Sequence, residues 1–389
     1  MRPKRAIRRT ACLAAALALA TTGCEAPGDN TAPPTASASS SGSGQERPSV
    51  LEEVKKRLKE HGIDLDEWRD GEWKTWDKEK WLREARDFIN PIIEGLWNPE
   101  RMREAEAAPV PGLERAAPGE KGVTDPAPAR IPARAVRPPY RASAPEAGKV
   151  FFDGPNGPMV CSGTVVRDPA RPGRSNLVWT AGHCVHKGKE GGWYRNIAFV
   201  PSYNDRADSH QDAAQEEVAP LGVWWADWAQ TSPRWIGEGA RTGGAGAPFD
   251  YAVIRVAPAK GAGGRSLEET VGSALPVEFD APGMSGVGAL TATGYPASAP
   301  YDGERMFQCS GRPGRLSVDE DDPTMYRIGC TMTGGASGGG WVGRGRDGAP
   351  ALISNTSIGP ASAGWLAGPR LDAEAREVYT DASEGLPRD

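Results

Sequence analysis

Residues 330–341 read CTMTGGASGGGW and place one serine, Ser337, among five glycines. Glycine-rich runs that contain serine are typical of flexible linkers. This run, however, lies between apolar segments and carries Cys330 at one end and Trp341 at the other, which favours a fixed place in a fold. The rest of the sequence must therefore show whether Ser337 is a spacer or a nucleophile.

A nucleophilic serine needs a histidine that takes its proton, and the chain has four histidines. His183 stands in TAGHC, directly after the apolar run NLVW. His61 lies in a helical stretch, and His186 and His210 lie in polar stretches that predict surface loops. Because a single histidine is more often packed or exposed than catalytic, His183 alone does not decide the question.

The histidine in turn needs an acid that orients its ring. Most Asp and Glu residues lie in polar runs, where a solvated surface is the default. Asp250 instead opens DYAVIRV, at the start of an apolar strand. A carboxylate that enters a core is costly unless a neighbour pairs with it, so Asp250 is the candidate acid.

Short strand-like runs fill residues 148–389 and are separated by Gly, Pro, Asn and Asp. Such repeated short strands with turn signals predict an all-β barrel or sandwich. The length of this region suits a pair of six-stranded barrels in one catalytic domain. The runs are KVFF, MVCSGTVV, NLVWTAGHCV, NIAFV, DYAVIRV, ALTATGYP, MYRIGC and PALIS.

The three motifs TAGHC, DYAVI and GGASGGG resemble the catalytic motifs of chymotrypsin-like serine peptidases, in that family's order of His, Asp and Ser. VCSGTVV, AFVPSYN and TGYP further resemble the bacterial glutamyl endopeptidase-like branch. The resemblance covers about residues 148–359. It implies an all-β fold of two packed six-stranded antiparallel β-barrels and an endopeptidase activity that needs no metal or cofactor.

The resemblance also assigns roles to individual residues. Ser337 would attack the scissile carbonyl, His183 would act as base and then acid, and Asp250 would orient the imidazole. The backbone N–H groups of Gly335 and Ser337 would form the oxyanion hole.

Ala336 stands where pancreatic-type relatives have an aspartate that pairs with a freed N-terminus. Removal of residues 25–147 would therefore act by unblocking or solubilising the domain.

Four cysteines remain after the N-terminal signal, and they allow three pairings. In an oxidising compartment they are expected to form disulfides rather than to bind a metal. The resemblance implies that Cys161 pairs with Cys184, which leaves Cys309 for Cys330.

The chain before residue 148 divides into four predicted segments. A basic start and a short apolar run make residues 1–23 a signal peptide. Cys24 is a lipidation candidate, with ordinary export as the alternative, and Arg8-Arg9 leaves both Sec and twin-arginine export open. Residues 24–48 are predicted to be a disordered tether, 49–107 a helical Trp-rich segment that could serve as a pro-region, and 108–147 a disordered Pro-rich linker.

The predicted specificity pocket lacks a charge. Thr331 stands where trypsin-like enzymes have an aspartate, and the stretch ALISNTSIG contains no histidine of the glutamyl endopeptidase kind. We therefore expect a preference for neutral residues before the scissile bond. The candidate lining residues are Thr331, Thr333, Ser354, Asn355 and Thr356.

The sequence supports two functions from different classes, and the same triad would also suit esterase chemistry. The first is an exported serine endopeptidase, extracellular or lipid-anchored on the outer face of the membrane, and the second is a catalytically inactive peptidase fold that serves as a binding module. The net charge of −5 and the pI near 5.6 argue against nucleic acid as a partner. A peptide or protein substrate and a monomeric state are expected, with membrane contact only through Cys24.

Overall fold

The computed structural model describes residues 90, 92–108, 123–189, 191–208, 212–240, 244–259, 263–280, 286–360 and 362–384. The predicted signal peptide, Cys24, the tether and most of the Trp-rich segment lie outside these residues. None of the helices in the described ranges is long and apolar enough to cross a membrane.

Short strands dominate this part of the chain. They are β1 (Glu106–Ala107), β2 (Arg134–Ala135), β3 (Ala147–Gly154), β4 (Gly157–Val166), β5 (Leu177–Thr180), β6 (Arg195–Pro201), β7 (Trp224–Thr231), β8 (Ala252–Pro258), β9 (Leu290–Gly294), β10 (Phe307–Gly311), β11 (Gly314–Leu316), β12 (Met325–Gly329), β13 (Gly340–Arg344), β14 (Pro350–Asn355) and β15 (Trp365–Gly368). The helices are α1 (Pro99–Glu104), α2 (Tyr140–Ser143), α3 (Gln215–Val218), α4 (Pro233–Glu238), α5 (Leu267–Val271) and α6 (Ala373–Glu384).

Six antiparallel strands close the first barrel in the order β4-β3-β6-β7-β8-β5, with β5 pairing back to β4. Side chains of β3 alternate between two clusters, as the two-residue period of a strand requires. Val150 and Phe152 pack in the barrel interior. Phe151 packs outside, against Trp97 and Met102 of the preceding segment. The first barrel therefore has an apolar outer face that residues 92–105 cover.

Two sheets form the second barrel: a five-stranded sheet in the order β14-β13-β9-β10-β2 and a three-stranded sheet in the order β11-β12-β15. They share one core, which contains Leu290, Tyr326 and Ile353. The disulfide between Cys309 and Cys330 ties the two sheets together, because Cys309 lies on β10 and Cys330 follows β12. The predicted all-β architecture of two packed barrels is thus confirmed.

The predicted disordered linker differs from the structure over residues 123–147. Strand β2 pairs with β10, the Asp125 carboxylate pairs with Arg315 at 2.8 Å, and Tyr140 is fully buried. The prediction is wrong here because a proline-rich composition does not exclude backbone pairing with a distant segment. Backbone hydrogen bonds to the second barrel hold the segment without any apolar periodicity. Residues 123–147 therefore belong to the folded unit that was predicted to begin at residue 148.

Candidate active site

Neighbouring strands bring His183 and Asp250 together. His183 lies in a 3-10 turn, Gly182–Cys184, just after β5, and Asp250 lies just before β8. Since β5 pairs with β8, with Thr180 opposite Ala252, the two side chains meet at one end of the first barrel. His183 Nδ1 lies 2.7 Å from Asp250 Oδ2, and the His183 backbone N–H donates to Asp250 Oδ1 at 2.8 Å.

Asp250 is fully buried, and two further donors bond to it, one at the carboxylate and one at the backbone carbonyl. Ser357 Oγ donates to Asp250 Oδ2 at 2.6 Å, and Asn355 Nδ2 donates to the Asp250 carbonyl at 3.0 Å. The Ser357 bond holds the carboxylate and the Asn355 bond holds the Asp250 backbone, so together they fix the carboxylate in the position from which it orients the His183 ring. Ser357 was not predicted from the sequence, and Asn355 was predicted to line the specificity pocket. The polar run SNTS at the end of an otherwise apolar strand was the available signal.

Ser337 lies on the loop between β12 and β13, against the edge of β4. Its carbonyl accepts from the Ser162 N–H at 2.7 Å. The next residue, Gly338, has φ +76°, and a Cβ there would lie 2.1 Å from Thr180 Oγ1 and 2.8 Å from the Ala181 nitrogen. Only glycine allows this approach, which places the serine loop beside the strand that leads to His183.

The reacting atoms of the candidate triad are both buried. Within the described part of the chain, neither Ser337 Oγ nor His183 Nε2 has a hydrogen-bond partner. Buried polar atoms are usually paired, so an unpaired one calls for an explanation. Catalytic hydrogen bonds are often long without substrate and tighten when it binds. A catalytic site without bound substrate therefore accounts for the absence of a hydrogen bond between Ser337 Oγ and His183 Nε2.

Gly335 shapes the predicted oxyanion loop. Its φ is +95°, and a Cβ there would lie 2.6 Å from the Tyr295 carbonyl oxygen and 2.8 Å from Ala297. The Gly335 carbonyl accepts from Ser162 Oγ at 2.9 Å, and the preceding Gly334 carbonyl accepts from the Ala297 N–H at 2.6 Å. These two hydrogen bonds fix the loop. A side chain at position 335 would clash with Tyr295 and Ala297 and would therefore displace it.

Comparison with solved structures finds similar folds among bacterial serine proteases. A thermostable serine protease, AL20, from an extremophilic microorganism matches with 31% sequence identity and a TM-score of 0.50, over 62% of this chain and 98% of that chain. This chain belongs to the chymotrypsin-like serine peptidases. The protease Anisep from Arthrobacter nicotinovorans matches with 27% identity and a TM-score of 0.50, over 65% and 99%.

A third solved structure, a Glu endopeptidase in complex with MPD, matches with 18% identity and a TM-score of 0.46, over 67% of this chain and 100% of that chain. A scan against protein-family models gives no match, and neither does a search of curated proteins.

The predicted pocket residues of this peptidase do not all lie in one place. Thr331 Oγ1 accepts from the Ala133 N–H at 2.8 Å and lies 3.0 Å from the Tyr301 hydroxyl, and Thr333 Oγ1 donates to the Ser298 carbonyl at 2.7 Å. Ser354, Asn355 and Thr356 follow one another at the end of β14 and are fully buried.

The polar groups of these three buried residues have partners elsewhere. Ser354 Oγ donates to the Pro369 carbonyl at 2.7 Å, Asn355 supports Asp250, and Thr356 Oγ1 accepts from Trp341 Nε1 at 2.9 Å. Thr331 and Thr333 thus remain the candidates nearest Gly335 along the chain, with Tyr301 as an addition that the sequence did not suggest.

The cysteines of the peptidase form the two bridges that the resemblance implied. Cys161 pairs with Cys184, and Cys309 pairs with Cys330. Cys161, Cys184 and His183 place three metal-ligating atoms close together. Both sulfurs are already bonded in the disulfide and cannot serve as thiolate ligands. This group is therefore not a metal site.

His186 differs from its sequence prediction. It is only 5% exposed rather than lying in a surface loop, and its ring packs on Trp193 with the centroids 5.2 Å apart. Burial lowers the His186 pKa to about 4, and the Gly188 N–H donates to Nδ1 at 3.0 Å. His186 is therefore neutral at pH 7 and braces the loop after His183. His61 and His210 lie outside the described residues.

Lys149 is a buried cation at the start of the first barrel. Its Nζ donates to the Gly303 carbonyl at 3.1 Å and lies 4.1 Å from the centroid of the Tyr203 ring. Burial lowers the Lys149 pKa to about 8, although the nearby Glu304 and Asp302 oppose the shift. Gly303 belongs to the loop that also contacts the Gly334 carbonyl through Ala297. Lys149 therefore stabilises the loop that contains Gly303, and this loop in turn contacts the oxyanion loop at Gly334.

This shift predicts a pH dependence of stability. The unfolded chain keeps the Lys149 proton up to a pKa of about 10.4, whereas the native state loses it near pH 8. Between these values the unfolded state binds more protons, so stability rises with pH. Relative to Lys149→Met, the free energy of unfolding should rise by about 2 kcal/mol from pH 7 to 9.5. Urea titrations in a Ser337→Ala background, which prevents self-digestion, measure this difference. If the free energies of unfolding of the two proteins changed in parallel with pH, the pKa of Lys149 would not be lowered in the native state.

Proposed function

We propose that this chain is an exported serine endopeptidase that hydrolyses peptide bonds through an acyl-enzyme. The observation that carries the proposal is the buried His183–Asp250 pair, fixed by two hydrogen bonds and backed by Ser357, next to the loop of Ser337. Asp250 on Nδ1 leaves His183 Nε2 as the proton acceptor. A serine with such a base is an activated nucleophile.

The first half of the reaction forms the acyl-enzyme. Ser337 Oγ attacks the scissile carbonyl carbon while His183 Nε2 takes the hydroxyl proton, and the carbonyl oxygen becomes an oxyanion that the Gly335 and Ser337 N–H groups stabilise. The C–N bond then breaks, and the imidazolium gives its proton to the leaving amine. Asp250 remains ionised throughout and stabilises the imidazolium.

The second half returns the enzyme to its starting state. His183 takes a proton from water, the resulting hydroxide attacks the acyl carbon, and collapse of the second oxyanion breaks the ester bond to Ser337 Oγ. The proton on His183 returns to Ser337, and the carboxylic acid product leaves. No redox partner or metal enters this balance.

Export of the enzyme rests on two features. The disulfides favour an oxidising compartment, and residues 1–23 read as a signal peptide. An anchor at Cys24 would require acylation there, which intact-mass analysis of protein from the native membrane fraction would detect. Without acylation the protein would be released into the medium.

A peptide library tests the endopeptidase activity. The purified chain is cut by limited proteolysis with an added protease, which is then inhibited, and is incubated with a library of unstructured peptides. Mass spectrometry should find cleavages at internal bonds that are absent with Ser337→Ala. Removal of terminal residues alone would indicate an exopeptidase, and no Ser337-dependent cleavage would contradict the proposal.

The pocket should prefer a neutral residue before the scissile bond. Among the described residues, no charged side chain bonds to Thr331 or Thr333, whose hydroxyls meet Ala133, Tyr301 and Ser298. A charged substrate side chain would be buried unpaired there, which costs several kcal/mol. Chromogenic peptides that differ only at this residue should give higher kcat/KM for Leu or Ala than for Glu or Arg. A tenfold advantage for Glu or Arg would refute the neutral pocket.

A further inference from the structure

The described N-terminal segment ends in a strand on the first barrel. Strand β1 pairs in parallel with β4, with Glu106 opposite Met159 and Ala107 opposite Val160. The Ala108 N–H donates to the Val160 carbonyl at 3.0 Å. Residues 105–108 therefore occupy a strand edge that would otherwise present unpaired backbone groups, the kind of edge that binds extended peptides.

This edge leads directly to the nucleophile. Two residues beyond Val160, the Ser162 N–H donates to the Ser337 carbonyl at 2.7 Å. Two residues along a strand span about 7 Å. The Ala108 N–H and the Ser337 carbonyl therefore bond to neighbouring positions on the edge of β4, at Val160 and Ser162. Ala108 is 1% exposed and packs in the cluster that contains Cys161 and Cys184, the disulfide next to His183.

The other side of the segment meets the oxyanion loop. A Cβ on Gly334 would lie 3.1 Å from Ala107 Cβ and 3.2 Å from the Ala108 carbonyl oxygen. Gly334 directly precedes Gly335, so residues 107–108 contact both walls beside the nucleophile: the strand edge of β4 and the oxyanion loop. Ser337 is fully buried in this state, and His183 is 7% exposed.

We propose that residues 105–108 form an autoinhibitory strand that blocks the substrate cleft of the uncut chain, an inference that rests on the proposed peptidase function. An extended substrate that passes Ser337 needs the space between β4 and Gly334, which the strand fills. Because the strand is part of the same chain, its effective concentration at the cleft exceeds that of a free peptide.

The residues before the strand hold it in place. Trp97 is 2% exposed and donates from Nε1 to the Asn196 carbonyl at 2.7 Å. Arg101 pairs with the buried Asp153 at 2.6 Å, and the Asn90 amide bonds with both the N–H and the carbonyl of Ile197. These contacts attach the segment to β3 and β6. Residues 123–147 have separate contacts with the second barrel, so loss of the N-terminal segment would open the cleft and leave residues 123–147 in the folded unit.

Substitutions within the strand test the proposal on the full-length chain. Ala108→Pro removes the N–H that bonds to Val160, and Ala107→Gln places a longer side chain against Gly334. Glu106→Gln is the matched control because Glu106 is exposed on the same strand. Activity on a neutral chromogenic peptide is measured while intact-mass analysis confirms that each chain is uncut. Melting temperatures check that the variants fold.

We expect uncut Ala108→Pro and Ala107→Gln to exceed the uncut native chain at least tenfold in kcat/KM, and Glu106→Gln to match it. Limited proteolysis by an added, then inhibited, protease should bring the native chain to the level of the two variants. Equal activity of the native chain before and after cutting would overturn autoinhibition while leaving the peptidase function intact. Absence of Ser337-dependent activity in every form would overturn the peptidase function, and the autoinhibition with it.

Discussion

The Ser337→Ala variant is expected to lose about 10⁴-fold or more in kcat and to keep its fold. The hydroxyl is the only group removed, and Ser337 Oγ makes no hydrogen bond in the described part of the chain. The backbone contacts that place the loop, from Ser162 N–H to the Ser337 carbonyl and from Gly338 N–H to the Thr356 carbonyl, remain. Initial rates on a neutral chromogenic peptide, with chains cut in the same way, measure the loss.

Two controls make this result specific. The melting temperature of Ser337→Ala should stay within a few degrees of that of the native chain, because no buried hydrogen bond is lost. Ser354→Ala changes a buried serine on β14 whose hydroxyl bonds to the Pro369 carbonyl, so it should affect stability more than chemistry. Native-like kcat for Ser337→Ala in a preparation free of other proteases would show that Ser337 is not the nucleophile.

The second large effect is expected for Asp250→Asn, which should lower kcat by up to about 10⁴-fold. The backbone N–H of His183 donates to Asp250 Oδ1 and therefore requires an acceptor at that position. In the asparagine variant this contact turns the Nδ2 group towards His183 Nδ1. The Nδ1 atom must then accept a hydrogen bond, the ring proton moves to Nε2, and the base that Ser337 needs is lost. The pH profile of kcat/KM should change with it.

Ser357→Ala provides the matched comparison for this prediction. It removes one donor to the same Asp250 oxygen but keeps the carboxylate and the histidine tautomer. Hydrogen bonds to charged groups contribute about 1.5–3 kcal/mol, so its loss in kcat should be at least tenfold smaller than that of Asp250→Asn. Equal losses in the two variants would indicate that Asp250 acts through the packing of the site rather than through the tautomer.

The sequence predicted those parts of the molecule that depend on local patterns. The short apolar runs predicted the barrels, and the three motifs picked out His183, Asp250 and Ser337, of which the structure joins the first two by hydrogen bonds and places the third on the adjacent loop. Gly335, which the motif assigned to the oxyanion hole, has a φ of +95°, and Gly338, directly after Ser337, has a φ of +76°.

Contacts between distant segments were not predictable in this way. Ser357 bonds to Asp250 across 107 positions, and the Ala133 N–H reaches Thr331 across 198. Neither contact leaves a periodic signal in its own segment. The region around residues 123–147 illustrates the reason, because its backbone finds partners on the second barrel while its composition is that of a linker. Asn355 was predicted to line the pocket but bonds to the Asp250 carbonyl instead. The sequence of a strand does not show which of its polar side chains faces the pocket.

Covalent labelling with a fluorophosphonate probe tests the central claim, a base-activated serine at position 337, most directly. The chain is cut by limited proteolysis, treated with the probe, digested and analysed by mass spectrometry. The account predicts one adduct per chain, on the peptide that contains Ser337, at a rate that falls sharply in His183→Ala. Peptide hydrolysis that survives with Ser337 unlabelled, or an adduct on another serine, would contradict it.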